Sequence, residues 1–110
     1  MKTTILIMRP GTDSEVIIVD LPEQPGYHEL RNLLTPLLDG GDLEHVSVLH
    51  GTQRADMFVD DEGVRKQLPR NDTATRIYRN NWLTEHPGTD PESLPAIHGP
   101  AILFSRIVWI

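Results

Sequence analysis

The chain has 110 residues, 38% of them hydrophobic and 24% charged, with six aromatic side chains, no cysteine and a formal net charge of −6. That composition fits one ordinary globular domain with a single core. It excludes disulfides, thiolate zinc sites and cysteine nucleophiles, and no apolar run approaches the roughly 20 residues that a membrane span needs.

Residues 3–9 are β-rich and apolar, and Pro10-Gly11-Thr12-Asp13-Ser14 supplies turn chemistry before residues 15–21 resume as a second strand, which predicts an antiparallel hairpin. The opening apolar stretch is too short for a secretory h-region and lacks a small-residue cleavage site, so a cytoplasmic location is expected. Without such a signal the Asn71-Asp72-Thr73 sequon carries no weight. After the Pro22 to Gly26 break, Leu30, Leu33, Leu34, Leu37 and Leu38 recur at helical spacing and form one apolar face. Pro36 either kinks this helix or starts a second short turn behind Thr35, and Asp39-Gly40-Gly41-Asp42 ends it.

Residues 44–50 and 55–59 read as a second hairpin joined through Gly51-Thr52-Gln53-Arg54. Asp60-Asp61-Glu62-Gly63 follows as a turn with three solvated carboxylates and a glycine free to take positive φ. Asn71 suits an N-cap for a helix over residues 72–82, with Asp72 at its positive end and Ala74, Ile77, Tyr78 and Trp82 facing inward or lining a groove. Residues 84–100 hold four of the nine prolines and read as a long surface loop. Ala101-Ile102-Leu103-Phe104 and Ile107-Val108-Trp109-Ile110 read as a closing strand with one face under a helix. The expected fold is therefore α+β, a mostly antiparallel sheet of about five strands with two helices packed on one face.

The segment joining the second hairpin to the second helix carries a resemblance. Its acidic Asp61-Glu62-Gly63 turn, basic linker, Leu68-Pro69, Asn71 followed by Ala74-Thr75, and the later Ile97-His98-Gly99-Pro100-Ala101-Ile102 resemble an uncharacterised bacterial and phage family, the domain of unknown function 3846. The similarity covers about residues 44–104, and the length and proline content of residues 84–95 depart from it. It implies a phage or mobile-element setting and no particular chemistry.

Charge is unevenly placed. Arg65, Lys66, Arg70, Arg76 and Arg79 stand against Asp72 alone within residues 65–79, a local balance of +4 that leaves −10 for the remainder. Such a patch suits a phosphate, a carboxylate or an acidic partner. The capped start of the second helix adds backbone N–H groups, so Arg65, Lys66, Arg70, Asn71, Arg76, Tyr78 and Arg79 form the candidate ligand-binding set. The bland alternative is a solvated surface whose arginines pair with neighbouring acids, and Tyr78 and Trp82 simply packed on the sheet.

The histidines at 28, 45, 50, 86 and 98 show no metal-ligand spacing, the acidic turn is not an EF-hand loop, and the serines sit in no nucleophile context. No metal, cofactor or catalytic set is therefore expected. An acidic chain without a nucleic-acid motif disfavours nucleic acid as partner. The expectation is a non-enzymatic binding module for a host protein or small anionic ligand. The alternatives are an acidic DNA mimic that occupies a host nuclease or restriction factor, and a small hydrolase or nucleotide-processing enzyme. An exposed sheet edge would also allow a homodimer.

Overall fold

A computed structural model describes residues 1–50 and 53–108, with His50 described by its backbone alone. The elements run β1 (Lys2–Met8), β2 (Glu15–Asp20), α1 (Tyr27–Leu37), β3 (Leu43–His50), β4 (Gln53–Asp60), α2 (Asp72–Glu85), a short 3-10 turn (Pro91–Ser93) and β5 (Ala101–Phe104). The strands form one antiparallel sheet in the order β2-β1-β5-β4-β3. The expected α+β fold of five strands and two helices is the one observed. No helix among the described residues is long and apolar enough to cross a membrane.

The helices lie on opposite faces, a correction to the expected one-sided packing. Leu30, Leu34 and Leu38 of the α1 region bury against Ile5, Ile7, Phe58, Ile102 and Phe104. Ala74, Ile77 and Tyr78 of α2 pack instead with Met8, Val48, Ala55, Met57, Val59, Ala101 and Leu103. Alternate residues of β1, β4 and β5 thus serve two cores, because successive side chains of a strand point to opposite faces. The physical reason is visible in β5, where Ala101, Ile102, Leu103 and Phe104 are all buried. An unbroken apolar strand needs cover on both sides.

Pro36 lies inside α1, one position before its end, so the helix runs through it and does not restart behind Thr35. The chain then leaves through Asp39 and Gly40 at φ 55° and 82°, with the Gly40 N–H on the Thr35 carbonyl at 2.8 Å. Helix α2 continues one turn beyond the expected end, and Trp82 faces outward, stacked on His86 at 4.1 Å between ring centroids. Strand β5 stops at Phe104, so residues 105–108 do not prolong it. Arg106 instead donates to the Glu23 and Pro22 carbonyls at 2.6 and 2.9 Å, and the Val108 N–H reaches Asp56 Oδ2 at 2.7 Å. Trp109, Ile110, Gly51 and Thr52, which also entered the strand and hairpin expectations, lie outside the described residues.

Asn71 is the N-cap of α2, as its sequence context predicts, but the cap is only part of its role. Its Oδ1 accepts from the Ala74 N–H at 3.1 Å, while Nδ2 donates to the Met8 carbonyl at 3.0 Å and the Gly99 carbonyl at 2.9 Å. Its own N–H donates to the Ile97 carbonyl at 2.8 Å. One buried side chain thereby joins the end of β1, the approach to β5 and the start of α2. Asn71→Asp keeps the cap acceptor but turns an oxygen towards two buried carbonyls. With each orphaned group costing about 1–3 kcal/mol, the variant is expected to lose roughly 2–6 kcal/mol in urea denaturation at pH 7. An unchanged midpoint excludes the buried-donor role.

Candidate functional site

The basic segment divides into two groups. Residues 61–67 fold back as turns, and there Arg65 meets Glu62 at 2.5 Å and Lys66 meets Asp60 at 2.9 Å. Hydrogen bonding to these carboxylates raises the pKa of both cations. Asp60 is not part of a solvated tip, since its side chain is 2% exposed and also accepts from the Glu62 N–H at 2.8 Å. Lys66 is therefore the counter-charge of a buried acid. Arg65 and Lys66 belong to the turn and do not join the other arginines.

Arg70, Arg76 and Arg79 do come together. They line one shallow groove of about 400 Å³ along α2, with Asp72, Thr75, Asn80, Leu83 and Pro91 completing its walls. The spacing explains this: residues three and four apart lie on one face of a helix, and Arg70 precedes the helix on the same side. Arg70 Nε lies 3.0 Å from Asp72, and Arg79 Nη1 lies 3.7 Å from Glu92; both carboxylates are over 80% exposed. Arg79 forms the floor, with Nη2 donating to the Leu94 carbonyl at 3.0 Å and Nε buried without a partner among the described residues. Arg76 is exposed and has no acidic partner among the described residues.

The two remaining candidates lie elsewhere. Asn71 is 1% exposed with its amide fully engaged inside, so it supports the fold and offers nothing to a ligand. The helix N-terminus it caps borders a separate open hollow with the Arg9 to Asp13 turn, which none of the groove arginines lines, and Asp72 puts a negative charge there. Tyr78 points away from the arginine groove and lines a separate cleft of about 200 Å³.

That second cleft was not anticipated. Val46, Val59, Val64 and Ile97 give it apolar walls, and Glu44, Asp61 and His98 bring titratable groups to it. Partial burial, a hydrogen bond with Asp61 and the charge of Asp61 raise the pKa of the Glu44 carboxyl. The hairpin register was the available signal. Leu43 pairs with Asp60, and the Asp61 N–H reaches the Asp42 carbonyl at 2.9 Å, which sets the start of β3 beside the acidic turn. His98 Nδ1 is engaged by the Leu68 carbonyl at 2.9 Å. Gly63 closes the cleft base for a reason other than positive φ: a Cβ there would lie 2.3 Å from the His98 carbonyl oxygen. Among the described residues no three His, Asp or Glu side chains converge as a metal cage.

Compared with protein-family models, with curated proteins and with solved structures, the chain shows no significant match. The functional reading accordingly stands on these two sites alone.

The raised Glu44 carboxyl has a definite sign in stability. A carboxyl whose folded pKa exceeds its unfolded value destabilises the fold above that folded pKa, and the penalty disappears below the unfolded value. Glu44→Gln is therefore expected to raise the melting temperature at pH 7 and to leave it unchanged near the bottom of the ordinary carboxylate range, at about pH 3. Melting curves across that interval check the prediction, and a gain that persists at the acid end contradicts it.

Proposed function

We propose that the chain is a non-enzymatic binding module and that the Arg70, Arg76 and Arg79 groove receives a carboxylate-rich segment of a partner protein. The observation that carries this reading is Arg76, which reaches a groove with two other guanidinium groups yet has no acid of its own among the described residues. Arg70 and Arg79 hold exposed carboxylates, and such surface pairs contribute about 0–1 kcal/mol, so an incoming carboxylate displaces them at little cost. The planar guanidinium fork favours bidentate carboxylate recognition over a point-charge contact. A shallow groove along a helix suits an extended acidic segment better than an enclosed small molecule. The likeness to the domain of unknown function 3846 belongs to the same proposal and makes the partner a host protein.

The DNA-mimic alternative has less support. Asp56 and Asp60 are buried, and Glu15, Asp20, Glu62, Asp72, Glu85 and Glu92 face cations of the chain itself. The enzyme alternative draws on one specific feature, the Glu44 and Asp61 pair beside Tyr78 and His98 in the second cleft. A carboxyl whose proton affinity is raised beside a second carboxyl is a starting condition for acid–base chemistry. That reading requires a pH–rate limb that Glu44→Gln removes.

Titration of a fluorescent oligo-glutamate peptide at low ionic strength tests the main proposal. The double variant Arg70→Ala/Arg76→Ala is expected to bind at least about tenfold more weakly, since a charged hydrogen bond contributes roughly 1.5–3 kcal/mol before solvent screening. Wild-type affinity in that variant refutes the proposal. Binding of inorganic phosphate with no binding of the peptide reassigns the groove to a small anion.

A further inference from the structure

Strand β2 ends the sheet, and among the described residues no strand pairs with its outer side. The direction of its backbone groups follows from the β1–β2 ladder. Met1 and Leu21 exchange backbone hydrogen bonds, and the register continues Thr3 to Val19, Ile5 to Ile17 and Ile7 to Glu15. In an antiparallel ladder hydrogen-bonded pairs alternate with non-bonded ones. Glu15, Ile17 and Val19 therefore spend their N–H and C=O groups on β1, while Val16, Ile18 and Asp20 aim theirs outward.

The side chains along this edge are apolar where an edge strand is ordinarily guarded by charge, proline or a bulge. Val16-Ile17-Ile18-Val19 is an uninterrupted β-branched run. Val16 and Ile18 are 61% and 67% exposed, because the α2 core ends before β2 and leaves this side of the strand open. The opposite edge differs: the Asn81 side chain of α2 donates to the Ser47 carbonyl of β3 at 3.2 Å and so engages that strand's backbone.

We propose that β2 is the contact surface for a second copy of this chain, the two β2 strands pairing antiparallel across a two-fold axis to form one continuous sheet. The inference is independent of the arginine groove. Self-pairing is isologous, so one residue of β2 must oppose itself. Centring the axis on Ile17 sets the outward-aimed Val16 against Ile18 of the second copy, and the reverse, which satisfies both edges with a bonded pair on each side of the axis. The same register places four β-branched side chains on the open face, cross-strand pairs of the stabilising kind. Centring on Ile18 instead would set Val16 against Asp20 of the second copy.

Charge agrees with that arrangement. Glu15 is held by Arg9 at 3.4 Å, and Asp20 by the Met1 amino group at 3.1 Å and Lys2 at 3.8 Å. Antiparallel alignment brings the Arg9 and Glu15 end of one copy to the Lys2 and Asp20 end of the other. Each junction then contains both signs. Two six-residue strands make a contact smaller than the roughly 1,200–2,000 Å² of standard interfaces, so the association is reversible and concentration-dependent.

Sedimentation velocity from micromolar to millimolar protein tests the proposal. The wild type is expected to shift from monomer towards dimer. Ile18→Pro removes an outward N–H that β1 does not use, and is expected to weaken association by about tenfold or more. Val16→Lys/Ile18→Lys, at two exposed positions, is expected to do the same through like charges, and circular dichroism checks that both variants are folded. The register has its own readout, since the chain has no native cysteine. Opposed Cα atoms at a non-bonded antiparallel pair lie about 4.5 Å apart, within disulfide reach. Ile17→Cys is thus expected to oxidise to a covalent dimer faster than Val16→Cys or Ile18→Cys, although Ile17 is the least exposed of the three. A monomer at every concentration, a dimer indifferent to Ile18→Pro, or faster crosslinking at the exposed positions overturns the proposal.

Discussion

The buried carboxamide of Asn71 holds this architecture together. The elements it touches are far apart in sequence: Met8 closes β1, Gly99 leads into β5, and Ala74 begins α2. Each contributes a backbone group that burial would otherwise leave without a partner, at about 1–3 kcal/mol apiece. A carboxamide alone among small side chains both accepts and donates twice, so it satisfies all three from one position. Serine or aspartate would cap α2 and abandon β1 and β5. The placement of α2, and with it the arginine groove, follows from this single junction.

The two-sided sheet depends on the same junction. With α1 on one face and α2 on the other, β5 and β4 from Ala55 onward lose contact with water, and their buried polar groups must find partners inside. Asp56 meets His45 Nε2 at 2.6 Å and the Val108 N–H at 2.7 Å, and Asp60 meets Lys66 and the Glu62 N–H. Both acids serve as fasteners for segments that leave the sheet, the C-terminal stretch and the turn after β4. An unpaired charge in such a position costs several kcal/mol. The basic run therefore cannot be a free electrostatic patch along its whole length, because part of it is committed to balancing the interior.

That commitment explains which parts of the molecule were legible in its sequence. Strand and helix spans followed from periodicity, and the Asn71 cap from its position before Asp72 and Ala74. The face occupied by α2 was also encoded, in the unbroken apolar run of β5, but a four-residue strand reads equally well as half-covered when its neighbours are unknown. The charge map is right in sum, and it offers pairing with neighbouring acids as an alternative without identifying which acid takes which cation. Arg65 and Lys66 look equivalent to Arg70 and Arg76 along the chain, and only folding shows that Asp60 turns inward and takes Lys66 with it. The Glu44 and Asp61 cleft depended on hairpin register, which a sequence reading joins only by knowing the loop between β3 and β4. At Gly63 the sequence suggests only freedom to take positive φ, whereas close approach of the His98 carbonyl is what excludes a side chain.

The proline-rich stretch between α2 and β5 follows from these constraints. It is a wall common to both sites rather than a loose connection. Arg79 grips the Leu94 carbonyl, Thr75 Oγ1 accepts from the Ile97 N–H at 2.9 Å, and the Gly99 N–H reaches the Pro69 carbonyl at 2.8 Å. Pro91 stands at the arginine groove, while Pro95, Ala96 and Ile97 stand at the carboxylate cleft. Proline restricts the unfolded chain and so lowers the entropy lost when such a stretch is ordered. Arg79 is the element shared most directly, for its guanidinium forms the floor of one site and anchors the residue that precedes the wall of the other. The two sites therefore share this stretch as a common boundary, with Arg79 tying its backbone to α2 on one side and Pro95 to Ile97 facing the cleft on the other.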